Sequence, residues 1–272
     1  MPEPQADIDA RVLAYYGDGF DERARLTTRS AQGPLELGRT LELIRAHGAG
    51  RRMIDIGGGP GRYAEALLAA GHAVEVVDPV QRHVEQATGI GVSARLGDAR
   101  ALPFADDSFD AALLLGPLYH LADRHDRLRA LAETARVVRD GGLVFASGIS
   151  RLVAFAALFA GSTTGGPLPP ELVAILDTGT PPPGLRFPAG HFHTPEELQQ
   201  ELELAGLAVR EVVGIEGPAG LLLETVTDAD PSLVDAATTI ARRAADRPGV
   251  RDFSQHLLAV AEVRKPEPEP PL

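Results

Sequence analysis

The 272-residue chain carries 26 basic and 38 acidic residues, a net charge of −12, with 44% hydrophobic residues and no cysteine. That length and balance can bury a full core in one elaborated domain, and the missing cysteines exclude disulfides, thiolate metal sites and cysteine nucleophiles. An acidic surface without a local basic cluster repels phosphate backbones, which argues against nucleic acid as a partner.

No apolar run reaches the ~18 residues that a bilayer span needs. The polar, acidic start Met1-Pro-Glu-Pro-Gln-Ala-Asp7 lacks the basic and apolar stretches of a secretory signal, so a cytoplasmic chain without membrane attachment is expected.

Residues 1–50 read as a helical cap. Ile8, Val12, Tyr15 and Tyr16 fall at helical spacing, Gly17-Asp18-Gly19 breaks the run, and a second helix is predicted over 34–47. Residues 51–150 then alternate. Arg52 to Ile56 is a short apolar strand stopping at glycines, and a helix runs from Arg62 to Ala70 with Gly71 as its C-cap. Strands follow at 73–78, 93–97, 109–115 and 143–149, with helices at 80–88 and 124–139, the latter closed by Asp140-Gly141-Gly142. Such alternation implies parallel pairing with right-handed crossovers, hence a doubly wound, Rossmann-like α/β sheet.

The segment 151–193 interrupts the pattern with one apolar helix (152–159), a flexible break (161–167) and a Pro/Gly-rich stretch, and reads as a lid over the strand ends. Residues 194–264 complete the core. Thr194-Pro-Glu-Glu opens a helix, and strands at 207–215 and 257–263 flank a helix at 233–245. The proline–acid tail 265–272 is expected to be disordered.

Asp55, Gly57, Gly59 and Gly61 form an acidic-x-Gly-x-Gly-x-Gly series at the end of the first strand. Glycines there permit positive φ and close approach of a ligand to the backbone. Gly57 and Gly59 also fit the first two positions of a dinucleotide fingerprint, but Arg62 occupies the third. An acid just before the turn suits a cationic ligand better than a pyrophosphate. Asp78 ends the second strand, where a carboxylate can hold a ribose hydroxyl pair or simply cap the next helix.

The segment Gly97-Asp98-Ala99, followed by Arg-Ala-Leu-Pro-Phe-Ala-Asp-Asp-Ser-Phe-Asp110, resembles the pattern of class I S-adenosylmethionine-dependent methyltransferases over roughly residues 51–149. The resemblance implies a seven-stranded, mostly parallel sheet with its last strand antiparallel, S-adenosylmethionine as cofactor and S-adenosylhomocysteine as product. It implies that Asp98 accepts from the adenine amino group and that Ala99 faces the ring. The cofactor set is then Tyr16, Arg39, Asp55, Gly57, Gly58, Gly59, Gly61, Asp78, Pro79, Gly97, Asp98, Ala99, Leu115 and Gly116.

The string Gly116-Pro117-Leu118-Tyr119-His120-Leu121 resembles a bacterial, actinobacterial-type subgroup, some of whose members methylate small natural products such as indole-containing cyclic dipeptides. A small apolar or aromatic acceptor, methylated on carbon, nitrogen or oxygen, is the partner this implies.

Because the leaving group is a sulfonium, no metal or covalent nucleophile is required, and a base only if the acceptor must lose a proton. His120, Tyr16 and His193 are the candidates for acid–base work, and Tyr15, Tyr119, Phe155, Phe187 and His191 for contacts to the acceptor. Each has a structural alternative: core packing for Tyr16, a helix-start hydrogen bond for His120, fixing the following helix for His193, and plain core for the phenylalanines. Arg39 could hold the cofactor's carboxylate or pair with Glu36, one turn away. No histidine has convincing metal-ligand spacing. Two other readings stay open on sequence: a nicotinamide-dependent oxidoreductase on the same sheet, and a non-catalytic cofactor-binding regulator.

Overall fold

The computed structural model describes residues 3–161 and 167–265. The flexible break and the proline–acid tail expected from the sequence fall almost wholly outside the described residues.

Seven strands form one sheet in the order β3-β2-β1-β4-β5-β7-β6: β1 (Arg52–Ile56), β2 (Ala73–Asp78), β3 (Ser93–Leu96), β4 (Phe109–Leu114), β5 (Val138–Ile149), β6 (Leu207–Gly214) and β7 (His256–Val263). β1 to β5 pair in parallel, and β7 is antiparallel to both β5 and β6. This is the Rossmann-like methyltransferase architecture anticipated above. The order reverses between β1 and β4, and open α/β sheets place ligands at the strand C-termini beside such a switch point.

Alternation along the strands splits the core into two layers. Met53, Leu113 and Phe145 pack on one face, while Ile54, Ile56, Ala112, Leu114 and Val144 pack on the other. Both faces are buried, which is why these strands are near-continuously apolar.

Helices α1 (Gln5–Asp18), α2 (Glu22–Arg25) and α3 (Gln32–His47) form the N-terminal segment. The core helices are α4 (Arg62–Ala69), α5 (Gln81–Gly89) and α6 (Arg124–Val137). α7 (Arg151–Gly161) and α8 (Pro170–Thr178) lie in the interrupting segment, and α9 (Pro195–Leu204), α10 (Gly220–Leu223) and α11 (Pro231–Ala244) follow. α9 begins with the capping box expected at Thr194, whose hydroxyl accepts from Glu197 N–H at 3.1 Å while Glu197 accepts from Thr194 N–H at 3.2 Å.

Several elements differ from the sequence reading: α2 and α10 were not anticipated, α1 continues through Gly17 to Asp18, and two further differences have a local cause. α6 stops at Val137, and Val138 already pairs with Phe109. The β-branched Val137-Val138 pair favours extended backbone, and Asp140-Gly141-Gly142 becomes a bulge inside β5, with Gly141 at φ 70°. α8 was not anticipated, although Leu172 and Ile175 are buried at helical spacing and Gly179 supplies a left-handed C-cap.

Candidate active site

β1 delivers Asp55 and then turns sharply through Gly57, Gly59 and Gly61, whose φ angles of 68°, 57° and 80° lie where a Cβ is strained. A Cβ at Gly57 would also stand 2.7 Å from Pro117 Cγ, so the loop and the end of β4 meet only because that residue is glycine. Asp78, at the end of β2, anchors the loop. Its Oδ2 accepts from Gly59 N–H at 2.8 Å, and its Oδ1 accepts from Val80 N–H at 2.9 Å and lies 3.1 Å from His83 Nδ1.

These groups line a cavity of about 280 Å³ at the switch point. Gly97, Asp98 and Ala99 close one end, and Leu115, Gly116, Tyr119 and His120 close the other. α1 roofs it: Asp9 binds Arg100 at 2.8 Å, Gln5 donates to the His120 carbonyl at 3.1 Å, and Arg11 reaches the Leu185 and Phe187 carbonyls. Arg100 also clasps Asp98 through Nε at 2.9 Å. Burial opposes ionisation of Asp98, but the Arg100 hydrogen bonds outweigh it and hold the carboxyl below its usual range.

Asp55 is 1% exposed and its Oδ2 has no hydrogen-bond partner. Burial, with the Asp78 charge added, pushes its pKa up to about 7. A buried carboxylate with an unsatisfied oxygen is costly unless a cation or donor meets it.

His120 Nδ1 is 2.7 Å from the Pro188 carbonyl, which can only accept, so Nδ1 carries the proton and Nε2 a lone pair. Tyr16 Oη, 3.3 Å from Nε2, therefore donates to it. Burial lowers the His120 pKa to about 4, leaving the ring neutral at physiological pH, and burial raises that of Tyr16 well above the ordinary phenol value.

A second cavity of about 770 Å³ adjoins the first and shares Tyr16, Glu22, Arg25 and Tyr119 with it. Tyr15, Phe20, Val153, Leu158, Phe187 and Phe192 make its wall largely apolar and aromatic.

An ion-pair network underlies the boundary. Arg25 donates to Glu36 through both terminal guanidinium nitrogens, at 2.6 and 3.0 Å, and to Glu22 through Nε at 2.7 Å. Gln32 bridges Glu36 at 3.2 Å to Glu216 at 3.0 Å, and Glu216 meets His256 Nδ1 at 2.5 Å. Burial opposes charge on Glu36, but Arg25 and His256 outweigh it and hold its pKa at about 2. Ligand atoms of Glu36, Glu216 and His256 lie within 4.8 Å of one another, a spacing able to hold a metal ion, and Arg25 and Gln32 already engage both carboxylates. Arg25→Ala is expected to cost ~3–5 kcal/mol, because it strands Glu36 in the interior without its counter-charge. Urea denaturation of Arg25→Ala against Arg25→Ala/Glu36→Gln measures this, the double variant recovering most of the loss.

Of the residues singled out from sequence, Tyr16, Asp55, Gly57, Gly58, Gly59, Asp78, Pro79, Gly97, Asp98, Ala99, Leu115, Gly116, Tyr119 and His120 line the first cavity. Tyr15 and Phe187 line the second. Five others line neither cavity. Arg39 is buried on α3 and binds Glu42 at 2.7 Å rather than Glu36. Gly61 packs α4 on α5, its Cβ position 3.2 Å from Ala87 Cβ. His193 is fully buried, 3.3 Å from Glu201, and bridges to Ser150; it fixes the start of α9. His191 stacks edge-on against His193 beside Glu197. Phe155 packs in the α7–α8 cluster and stacks on Phe159.

Sequence reasoning missed Arg25, Glu22, His83, Arg100 and His256. His83, about one turn past Asp78, and Arg100, two residues past Asp98, carried a local signal; Arg25, Glu22 and His256 arrive from elements that no local pattern ties to the glycine loop.

The switch-point cavity with its glycine loop and acid-tipped β2 defines a nucleoside-binding α/β fold. Residues 54–146 match the methyltransferase domain family. The chain is 30% identical over 230 residues to a ubiquinone biosynthesis O-methyltransferase of Methylobacterium sp. (strain 4-46), covering 76% of this chain and 86% of that one. Among solved structures it is similar to a methyltransferase of Thermotoga maritima described as a possible histamine N-methyltransferase, with TM-score 0.61, 21% identity, and 96% and 100% of the two chains covered. Another is the geranyl diphosphate C-methyltransferase of Streptomyces coelicolor A3(2), with TM-score 0.57, 14% identity, and 96% and 100% covered, solved with Mg²⁺, geranyl diphosphate and S-adenosylhomocysteine. The chain belongs to the class I S-adenosylmethionine-dependent methyltransferases. It is an enzyme of that class, which sets aside the nicotinamide and non-catalytic alternatives. Among the described residues no helix is long and apolar enough to cross a membrane.

Proposed function

We propose that the first cavity holds S-adenosylmethionine and that the second holds a small aromatic or apolar acceptor, methylated on a hydroxyl oxygen. The observation that carries this reading is that the two cavities share a boundary at Tyr16, Tyr119, Glu22 and Arg25. A methyl donor and its acceptor need such an arrangement to line up for displacement.

The residues suit the cofactor. The orphaned Asp55 oxygen fits its ammonium group, Asp78 its ribose hydroxyls, and Asp98 with the Ala99 backbone its adenine. When bound, the cofactor supplies a methyl group on a sulfonium, so that the new oxygen–methyl bond forms as the carbon–sulfur bond breaks and the electron pair stays on sulfur. Arg25, pinned by Glu36 and Glu22, positions α2 at the boundary. Tyr16 and His120 manage the proton: an acceptor hydroxyl bonded to Tyr16 passes its proton through the phenol to His120 Nε2. Uptake there becomes easier as positive charge leaves the adjoining cavity. α7, α8 and the loop bearing Phe187 act as the lid that keeps water out.

An oxygen acceptor is favoured because the Methylobacterium relative is an O-methyltransferase and because His120 Nε2, with Tyr16 on it, offers a lone pair to receive a hydroxyl proton. The Gly116-to-Leu121 string supports a natural-product acceptor in a bacterial, cytoplasmic setting, and the −12 charge argues against nucleic acid.

Incubation of the enzyme and S-adenosylmethionine with a panel of hydroxylated aromatics, read by mass spectrometry, tests the reading. His120→Asn is expected to lower kcat on the accepted phenol by about a hundredfold with cofactor affinity retained. Val153→Trp, which pushes an indole into the second cavity, is expected to abolish turnover with S-adenosylhomocysteine binding intact. Full turnover in Val153→Trp would place the acceptor elsewhere.

A further inference from the structure

His256 opens β7, opposite Ile149 at the end of β5, and so stands on the edge of the sheet where the second cavity begins. The ring is clamped from behind. Nδ1 lies 2.5 Å from Glu216 Oε1, and the residue's own N–H donates to Glu216 Oε2 at 2.9 Å. Ser254 Oγ donates to the same oxygen at 2.8 Å. With Nδ1 committed to a carboxylate, Nε2 is the remaining polar atom of the ring and has no hydrogen-bond partner among the described residues. It is not sealed in the core, since it is absent from the buried polar atoms that lack a partner. A carboxylate behind an imidazole that lines a cavity is an orienting pair, fixing the direction of the ring.

Charge agrees with the geometry. Burial opposes protonation of His256, but Glu36, 3.7 Å away, and Glu216 outweigh it, raising the pKa to about 9. At neutral pH the ring is therefore a cation. Around the same cavity the guanidiniums of Arg29 and Arg186 have no carboxylate within salt-bridge distance among the described residues, in a chain of net charge −12. The facing acids are otherwise occupied, apart from Glu224: Asp21 caps α2, and Glu22 pairs with Arg25.

We propose that His256 is an acceptor-binding residue, donating from Nε2 to an anionic oxygen of the acceptor, so that the enzyme selects acidic hydroxyaromatics carrying a phenolate or carboxylate. This rests on the second cavity being the acceptor site. Tyr119 separates the two histidines, its ring 4.8 Å from that of His120 and 6.3 Å from that of His256. His256 therefore grips an oxygen other than the one whose proton passes to His120, and sets the acceptor's orientation.

The test uses 4-nitrocatechol, whose absorption reports its own ionisation, bound to the enzyme loaded with S-adenosylhomocysteine. Bound to wild type, the probe is expected to ionise about one pH unit lower than in solution. His256→Gln keeps a hydrogen bond to Glu216 without the charge, and is expected to bind S-adenosylhomocysteine as wild type does while losing that shift. Glu216→Gln is expected to retain only part of it. Failure of wild type to bind the probe, or an unchanged shift in His256→Gln, overturns the proposal. The two readings fail separately: turnover surviving in Val153→Trp removes the acceptor cavity itself, whereas turnover lost there with the shift intact in His256→Gln removes only the role of His256.

Discussion

Asp78→Ala is expected to weaken S-adenosylhomocysteine binding by about a hundredfold in a calorimetric titration, since two charge-assisted hydrogen bonds to ribose contribute ~1.5 kcal/mol each. The carboxylate also holds the loop. It accepts from Gly59 N–H and Val80 N–H, and deleting it strands both buried donors, so some loss of loop order adds to the loss of contact. Asp78→Asn retains an acceptor for one of these partners and is expected to lose closer to tenfold. Unchanged affinity in Asp78→Ala would mean that the ribose lies elsewhere.

Cofactor affinity is expected to depend on pH through Asp55. With its pKa near 7, the carboxyl is increasingly protonated below that value and cannot meet an ammonium as a carboxylate. S-adenosylmethionine binding should therefore tighten by roughly tenfold per pH unit from 5 to 7 and then level off. Calorimetry at pH 6 in buffers of different ionisation enthalpy should detect release of about one proton. Asp55→Asn should bind more weakly and show neither effect.

The same shift has a stability signature of opposite sense. A folded pKa above the unfolded value means that the ligand-free folded chain binds the extra proton. The Asp55 contribution is complete below ~4 and is lost as pH rises through 7. The ligand-free Tm should carry a downward component over that window, absent in Asp55→Asn and offset by cofactor. A flat affinity profile from pH 5 to 8 would place the ammonium away from Asp55.

These expectations differ in how much of each the sequence alone supports. The acid–glycine series, Asp78 and Gly97-Asp98-Ala99 are local signals: a strand that ends in glycine must turn, and successive strand ends in a doubly wound sheet must come together at the switch point. His120 likewise follows the end of β4 by a fixed offset. Arg39 shows where that logic stops. It sits on the same helix as Glu36, but only tertiary packing decides which arginine meets that carboxylate, and α2 brings Arg25 to it instead.

His193 and His191 both fall in a loop by sequence, yet both are buried, and the β-bridge to Ser150 draws His193 fully into the core. Phe155 and Phe187 are indistinguishable as aromatic residues near a lid. Both pack against the cluster around α7 and α8, but only Phe187 also lines the second cavity, carried there by the loop whose carbonyls Arg11 holds.

The sequence by itself determined the sheet, its switch point and the glycine loop with the acids that attend it, because each depends on periodicity and turn chemistry within a few residues. Tertiary structure decided the second cavity, the Arg25–Glu36–Glu216–His256 network and the orientation of His256. Those depend on distant segments packing together, and no short window of the chain encodes which buried charge will find which partner.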